Sequence, residues 1–421
     1  MAGLRRINQE DLRNHNLTVV LDTLLQSKAP MSRADLAKAT GLTKATMSLL
    51  AALLIGNKVV VERDPAVQNT YGRPSTPLAI AQGGWAGVGL QINTDGYGYM
   101  VIDLTGRVVA QEWVDADVSE LSPEITFGRL NALVQPTENE LERLGYRMVG
   151  GGLALPGLVT DDQRLLSARN LGWESVDLQQ FDVVRRLHAA AGNEANMAAI
   201  AQIPGYATSR CGESPEKAGD LDTHGSFLYV STDIGIGGAL VRDGQVVVGD
   251  HGFGGEIGHL SVALDGPICR CGRRGCLEAY AGRRSMVEAA GIASGEAAAQ
   301  PGAGVELYER WRKGDDHAVA VIDRAIDALG SAIVSTINLM DAETVILGGF
   351  WQHFGDEFAS KLTRIVAGNV LAGDELHMRV LMPLVDDRPA LRGAATIGLR
   401  RFIDNPLSHL REQTGDLPSA S

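Results

Sequence analysis

Three of the four cysteines in this chain, Cys269, Cys271 and Cys276, fall within eight residues, and His259 stands ten residues ahead of the first. Three thiolates and one imidazole form a standard tetrahedral zinc set, and soft thiolates select zinc over magnesium or calcium. Gly272 and Gly275 permit the tight turns that bring all three sulfurs to one ion. No fifth ligand is evident, so the spacing predicts a closed, structural zinc. Buried or redox cysteines beside an unrelated histidine are the competing reading. A C-x-C-x4-C run with two glycines rarely arises that way.

Carboxylates surround this cluster. Glu256 and His259 are three apart and share one face of a helical turn, and Glu278 lies two residues beyond Cys276. A metal-stiffened loop presents Glu256, Glu278 and the free edge of His259 together, as acceptors for a polyhydroxylated ligand. Glu278 by itself reads equally well as a solvated surface acid.

Those residues need a scaffold, and composition bounds it. With 421 residues the chain is long enough for two or three domains, each with its own core. The apolar share (45%) and charged share (21%) are those of ordinary soluble proteins. No apolar run reaches membrane-spanning length, and the first residues lack the apolar centre of a signal peptide. Few, clustered cysteines fit a reducing cytosol, so the expectation is a cytoplasmic protein with no membrane partner. Residues 1–75 carry ten Lys and Arg against six Asp and Glu, a net +4, leaving −17 on the rest. A basic head on an acidic body suits a DNA-binding module joined to something else.

Leu17, Val20, Leu21, Leu24 and Leu25 make a helical stripe over Asn16–Gln26. Ser32–Asp35 resembles a capping box opening a helix at Arg33–Ala39. Gly41-Leu42 turns the chain, and Thr43 caps a further helix from Lys44 to about Ile55. This describes a helix-turn-helix with Met47, Leu50 and Leu54 inward. Arg33, Thr43, Lys44, Ala45, Thr46 and Ser48 then lie where DNA is met. A β-rich run at Lys58–Glu62, a polar turn and Tyr71–Pro74 predict a wing, with Arg73 entering the minor groove or contacting phosphate. A helical bundle used for dimerisation is the bland alternative.

From Trp85 the texture is glycine-rich α/β. Gly87–Ile92 and Tyr99–Asp103 read as a hairpin closed by Thr105-Gly106. A helix at Pro123–Leu144, a strand at Met148–Leu155, a loop at Asn170–Trp173 and a helix at Val176–Ala190 follow. Asn193–Asn196 leads into an alanine-rich helix, and residues 204–224, with Cys211, read as a mobile connection. Phe227–Val230 is a strand, Asp243-Gly244 a hairpin turn, Ser294–Gly304 a flexible run and Thr344–Leu347 a buried strand. The tail after Ile403 is polar and expected to fray. Leu90–Asp103 and Val230–Val241 echo one another, predicting two related α/β lobes about a cleft.

Together these residues resemble the ROK family of repressors and sugar kinases, over nearly the whole chain. The resemblance is carried by Glu256-x-x-His259, Cys269-x-Cys271-Gly272-x-x-Gly275-Cys276-x-Glu278, Pro156-Gly157, Asn170–Trp173, Asn193–Asn196 and Leu347–Gly349. It implies a winged helix-turn-helix (1–82), a two-lobed actin-like ATPase (ribonuclease H-like) domain (83–403) and a polar tail (404–421). It implies zinc held by His259, Cys269, Cys271 and Cys276, and sugar contacts from Asn193, Glu194, Glu256, His259 and Glu278. A ROK kinase needs an Asp-x-Gly-Gly-Thr turn for the ATP phosphates. The corresponding residues here are Gln91-Ile92-Asn93-Thr94, although Gly235–Gly238 survives as a partial second loop. Glu194 stands where the family has a catalytic aspartate. The expectation is a non-enzymatic, sugar-responsive regulator, a repressor of carbohydrate uptake or catabolism genes, binding operator DNA as a homodimer or homotetramer. An active ATP-dependent sugar kinase is the alternative, and an adaptor that never touches DNA is a third reading.

Overall fold

The computed structural model describes residues 8–27, 29–64, 76–203, 225–373, 375–385 and 387–410. Helix α1 (Gln9–Gln26) starts earlier than its apolar stripe, because Asn8 and Asp11 cap it reciprocally at 2.8 and 3.1 Å. Strand β1 (Met31–Ser32) leads into α2 (Arg33–Thr40), and α3 (Lys44–Gly56) follows at a bend of 116°. Ser32 and Thr43 cap their helices, each accepting a hydrogen bond from the backbone three residues on. Strands β2 (Val60–Glu62) and β3 (Pro77–Ile80) pair antiparallel, giving the order β1-β3-β2. The predicted wing turn, with Arg73, lies outside the described residues, as does the 204–224 connection with Cys211.

The first lobe is a sheet of β4 (Trp85–Asn93), β5 (Gly96–Asp103), β6 (Val108–Asp115), β7 (Arg147–Leu155) and β11 (Ala189–Asn193), in the order β11-β7-β4-β5-β6. Helix α4 (Pro123–Arg143) packs on it. Between β7 and β11 lies a small antiparallel sheet of β8 (Leu158–Val159), β9 (Arg164–Ala168) and β10 (Trp173–Asp177), then the short helix α5 (Asp182–Arg186). Helix α6 (Glu194–Ile200) follows β11 directly.

The second lobe repeats that plan: β12 (Phe227–Thr232), β13 (Ile236–Arg242), β14 (Gln245–Val246), β15 (Thr344–Gly349) and β16 (Arg379–Leu381), in the order β14-β13-β12-β15-β16. In each sheet the first strand pairs antiparallel with the second and parallel with the fourth. The predicted internal echo is thus a repeated topology. Helices α7 (Glu278–Ala281), α8 (Arg283–Ala289), α9 (Glu296–Ala299), α10 (Pro301–Arg312), α11 (Asp316–Met340) and α12 (Gly355–Ala367) complete this lobe.

Helix α13 (Pro389–Asp404) returns to the first lobe and lies on β4, β5 and β7. It packs so closely that a Cβ at Gly152 would sit 2.8 Å from the Ala394 Cα. Its far end joins α1: the Thr18 hydroxyl donates to the Ile403 carbonyl at 2.8 Å, and the Asn14 amide to the Asp404 carbonyl at 3.0 Å. Arg400 bonds Asp22 at 2.7 Å, and Phe402 stacks on Trp85.

Several expectations are corrected. Thr105-Gly106 does not close the first hairpin; Thr94-Asp95 does, and Thr105-Gly106 leads to the third strand, β6, whose apolar run is interrupted by the exposed Gln111 and Glu112. Val176–Ala190 is not one helix. Val176 pairs with Leu165, His188 takes a left-handed conformation, and Ala189 begins a parallel strand. Ser294–Gly304 is largely helical, its small residues packing where a flexible run was expected. The tail is docked as far as Leu410, with the Leu407 N–H on Asn14 at 3.1 Å. Finally, the head has no separate core, since Leu17, Leu24 and Met47 share one apolar cluster with Trp85, Leu399 and Phe402.

Candidate functional site

The loop from Glu256 to Glu278 is shaped by its own short bridges. Ser261 pairs with Cys276 and Ile268 with Arg274, and the Cys269 N–H donates to the Arg273 carbonyl at 2.7 Å. Gly275, at φ 69°, passes so near Ala263 that a Cβ would stand 2.7 Å from the carbonyl carbon. This folding gathers one donor atom from each of His259, Cys269, Cys271 and Cys276 within 4.8 Å of one another. Cys271 and Cys276 sulfurs are 3.6 Å apart, and Cys269 sulfur lies 3.9 Å from His259 Nδ1. A Zn–S bond of about 2.3 Å sets tetrahedral edges of about 3.8 Å. The donor set therefore fits a tetrahedral metal ion.

Burial pushes the Cys269 thiol up to about 12 and raises Cys276 as well. Cys271 is lowered: burial opposes this, but the Arg273 backbone and the two neighbouring thiols bond its thiolate. A dication reverses the penalty on the other two by stabilising every thiolate at once.

Nδ1 faces the cysteines, leaving His259 Nε2 toward Glu256 Oε2 at 3.9 Å. Glu278 reaches within 3.7 Å of the Cys269 sulfur and accepts the Ile236 N–H at 3.2 Å. Both acids open onto the cleft. A cavity of about 670 Å³ there is lined by all five residues assigned to sugar contacts: Asn193, Glu194, Glu256, His259 and Glu278. Asn193 caps α6 through Oδ1 and donates to the Gly157 carbonyl at 3.0 Å, so both ends of its amide are engaged. Burial pushes Glu194 up to about 8, with Asp233 and Asp95 adding to the rise. Burial likewise raises Glu256, against the pull of His259 and with a push from Glu278.

The turn at the end of β4 differs from a phosphate cradle. Asn93 Nδ2 donates to Glu194 Oε2 at 3.0 Å, and Asn93 Oδ1 accepts the Thr94 N–H at 2.7 Å. Asp95, on this turn, and Asp233, on the turn between β12 and β13, line the same cavity. Burial raises Asp95, and the Asp233 charge raises it further. The two acids escaped the sequence reading, although Asp95-Gly96 is a readable turn signal.

On the head, Thr43, Lys44, Ala45 and Ser48 are exposed and Thr46 half-buried along the first turns of α3. Thr43 and Thr46 bond one another at 2.9 Å, and Ser48 bonds the Lys44 carbonyl at 2.9 Å. Arg33 pairs with Glu62 of β2 at 2.7 Å. Leu49, missed in the sequence, is 73% exposed, one helical turn on from Ala45. Among the described residues no single helix is long and apolar enough to cross a membrane.

Two α/β lobes of repeated topology flank a polar cleft, with two capped helices, a turn between them and a three-stranded sheet ahead of them. Residues 88–401 match the ROK family model, and the chain belongs to the ROK family. The xylose repressor of Bacillus subtilis (strain 168) is 28% identical over 282 residues, covering 67% of this chain and 69% of that protein. A solved ROK family transcriptional regulator, a homolog of the E. coli MLC protein, superposes with TM-score 0.71 at 23% identity, covering 94% of this chain and 98% of that one. A ROK glucokinase from Streptomyces griseus, solved with glucose and AMPPNP, gives TM-score 0.59 at 21% identity, covering 75% and 99%.

Proposed function

We propose that this protein is a sugar-responsive transcriptional regulator, acting as a repressor of carbohydrate uptake or catabolism genes in the cytoplasm. Residues 1–82 read the operator and residues 83–403 hold the sugar. One observation carries the reading: behind a head of helix-turn-helix form, the turn that would receive phosphate in a kinase holds Asn93 bonded to Glu194. Phosphoryl transfer needs that turn open to an anion, and Asp95 and Asp233 oppose an anion further. The protein on this reading is not an enzyme.

Zinc is the metal the donor set selects, held by His259 Nδ1 and the three thiolates. Bound there, it supplies rigidity rather than chemistry. Glu256, His259, Glu278 and Glu194 accept the sugar's hydroxyls, while Asn193 fixes α6 against the Pro156-Gly157 turn. On DNA, Lys44, Arg33 and Arg73 meet phosphates or the minor groove. Thr43, Thr46 and Ser48 meet phosphates, while Ala45 meets base edges. A two-fold operator calls for a homodimer or homotetramer.

Helix α13 supports the coupling of the two functions. Its first residues, Pro389 and Ala390, line the cleft, and its last carbonyls are capped by α1 of the head. Closing the lobes on a sugar then shifts the head, provided the sugar binds the DNA-free arrangement more tightly.

The test is a thermal-shift screen of zinc-loaded protein against sugars, sugar phosphates and ATP–magnesium. A ligand of the native state raises the melting temperature. A sugar that shifts it and releases operator DNA is the expected result. A shift with ATP–magnesium that sugar strengthens assigns the chain to the kinases.

A further inference from the structure

We infer that the far half of the cleft, between the Asn93–Asp95 turn and Gln352, is a second saccharide subsite, so that the effector is a disaccharide or longer glycoside. The inference rests on the sugar-sensing reading above and names the class of sugar.

Space is the first argument. The cavity of about 670 Å³ is lined by His259 and Glu278 of the metal loop and also by Gln352 and Arg388, which lie beyond β15 and at the start of α13. That volume suits a ligand of two or more rings. Of the residues assigned to one sugar, Glu256, His259 and Glu278 belong to the metal loop, and Asn193 and Glu194 stand at the start of α6. A single pyranose held there leaves the Gln352 end of a continuous polar cleft unused.

Chemistry is the second. The far half carries the side-chain amides of Gln91, Asn93 and Gln352, the Ser231 hydroxyl and the Asp95 carboxylate, beside the ring of Trp113. Alternating donors, acceptors and an aromatic face are what a second sugar ring meets well. The buried Nε1 of Trp113, which lines the cavity, has no hydrogen-bond partner among the described residues. Buried polar groups rarely stay unpaired. A ligand hydroxyl, or water ordered with the ligand, can complete it after a small side-chain adjustment.

Charge disfavours the other occupant this half suggests. In a kinase it receives nucleotide phosphates. Here Asp95 and Asp233 face the space. Their compensating cations are Arg283, bonded to Asp233 at 2.9 Å, and Arg388, whose charge lowers Asp95 and which lies over the Trp113 ring at 4.0 Å. A polyphosphate adds negative charge to a site already holding two acids, whereas sugar hydroxyls donate to them without adding charge. Asn93 and Glu194, bonded to one another at 3.0 Å, join the turn of the far half to the helix that carries Asn193. A glycoside lying along the cleft passes this pair.

The test is isothermal titration of the intact zinc-loaded protein with matched pairs: D-xylose against xylobiose, and D-glucose against maltose and cellobiose. One disaccharide is expected to bind at least about tenfold more tightly than its own monosaccharide. The Gln352→Ala variant, checked for unchanged fold by circular dichroism, is expected to lose that advantage and keep the monosaccharide affinity. Equal affinity for both members of every pair refutes the subsite while leaving sugar sensing intact. A variant that weakens both members alike also refutes it. Failure of every sugar to bind refutes the sensing reading and the subsite together.

Discussion

Replacing Gly393 by alanine sets two physical effects against each other within helix α13. By propensity, alanine favours a helix interior by about 1 kcal/mol over glycine. In place, however, a Cβ at 393 would stand 2.6 Å from the Met197 carbonyl carbon and 3.3 Å from the Ala201 nitrogen, both backbone atoms of the α6 segment. Non-bonded carbons settle at about 3.5–4.0 Å, so α6 has to retreat by about 1 Å. Overpacking of this kind costs about 1–3 kcal/mol, and a backbone obstacle belongs at the upper end. The expected net loss is about 2 kcal/mol. Gly128, inside α4, is the internal control: no atom lies within 4 Å of a Cβ there, so Gly128→Ala is expected to stabilise by up to about 1 kcal/mol. Urea unfolding followed by far-UV circular dichroism at fixed zinc measures both. Because α6 begins with Asn193 and Glu194, sugar affinity should fall in Gly393→Ala as well. Equal stability of the two alanine variants would refute the tight α6–α13 seam.

The other predictions concern the metal, the DNA surface, the cleft acid and the coupling. Cys271→Ser is expected to lose bound zinc by mass spectrometry and to weaken sugar binding; sugar affinity that survives metal loss removes the loop's scaffold role. Lys44→Ala should weaken DNA binding about uniformly across sequences and lower the salt slope by about 1, read by fluorescence anisotropy at several salt concentrations. Glu194, pushed up to about 8 in the fold, keeps its proton at pH values where the unfolded chain has lost it. Stability attributable to this group therefore falls as pH rises from about 4.5 to about 8. Glu194→Gln should then raise the melting temperature more at about pH 8 than at about pH 5, and an equal shift at both would show that Glu194 ionises freely. Thr18→Val, which removes the bond to the Ile403 carbonyl, is expected to leave sugar and DNA affinities near wild type while reducing the change in DNA affinity on adding sugar; an undiminished change places the coupling elsewhere.

Local chemistry was legible in the linear chain. The metal quartet is written in contiguous spacing, and the helix starts at Arg33 and Lys44 follow from side chains that bond backbone only three residues away. The strands of both hairpins show in their glycine-rich apolar runs, and Asp243-Gly244 marks the turn of the second. The assignment of Asn193 and Glu194 to a sugar came from family resemblance, because neither residue's type nor its spacing reveals a ligand. Reading failed where local signals were weak: Gln111 and Glu112 interrupt the apolar run of β6, and the alanine and glycine run near Ser294 packs as helices.

What the chain by itself determined is thus what depends on neighbours within a few residues: caps, turns, apolar strand runs and a compact metal loop. The tertiary structure alone decided what rests on distant segments meeting. Asn93 closes on Glu194 across 101 residues of chain, and Thr18 caps α13 across 385. Asp95 and Asp233 come to face one cavity because two sheets of the same topology stand opposite each other. Such contacts follow from how whole elements pack, and packing depends on the shapes of all partners together, which no local pattern encodes.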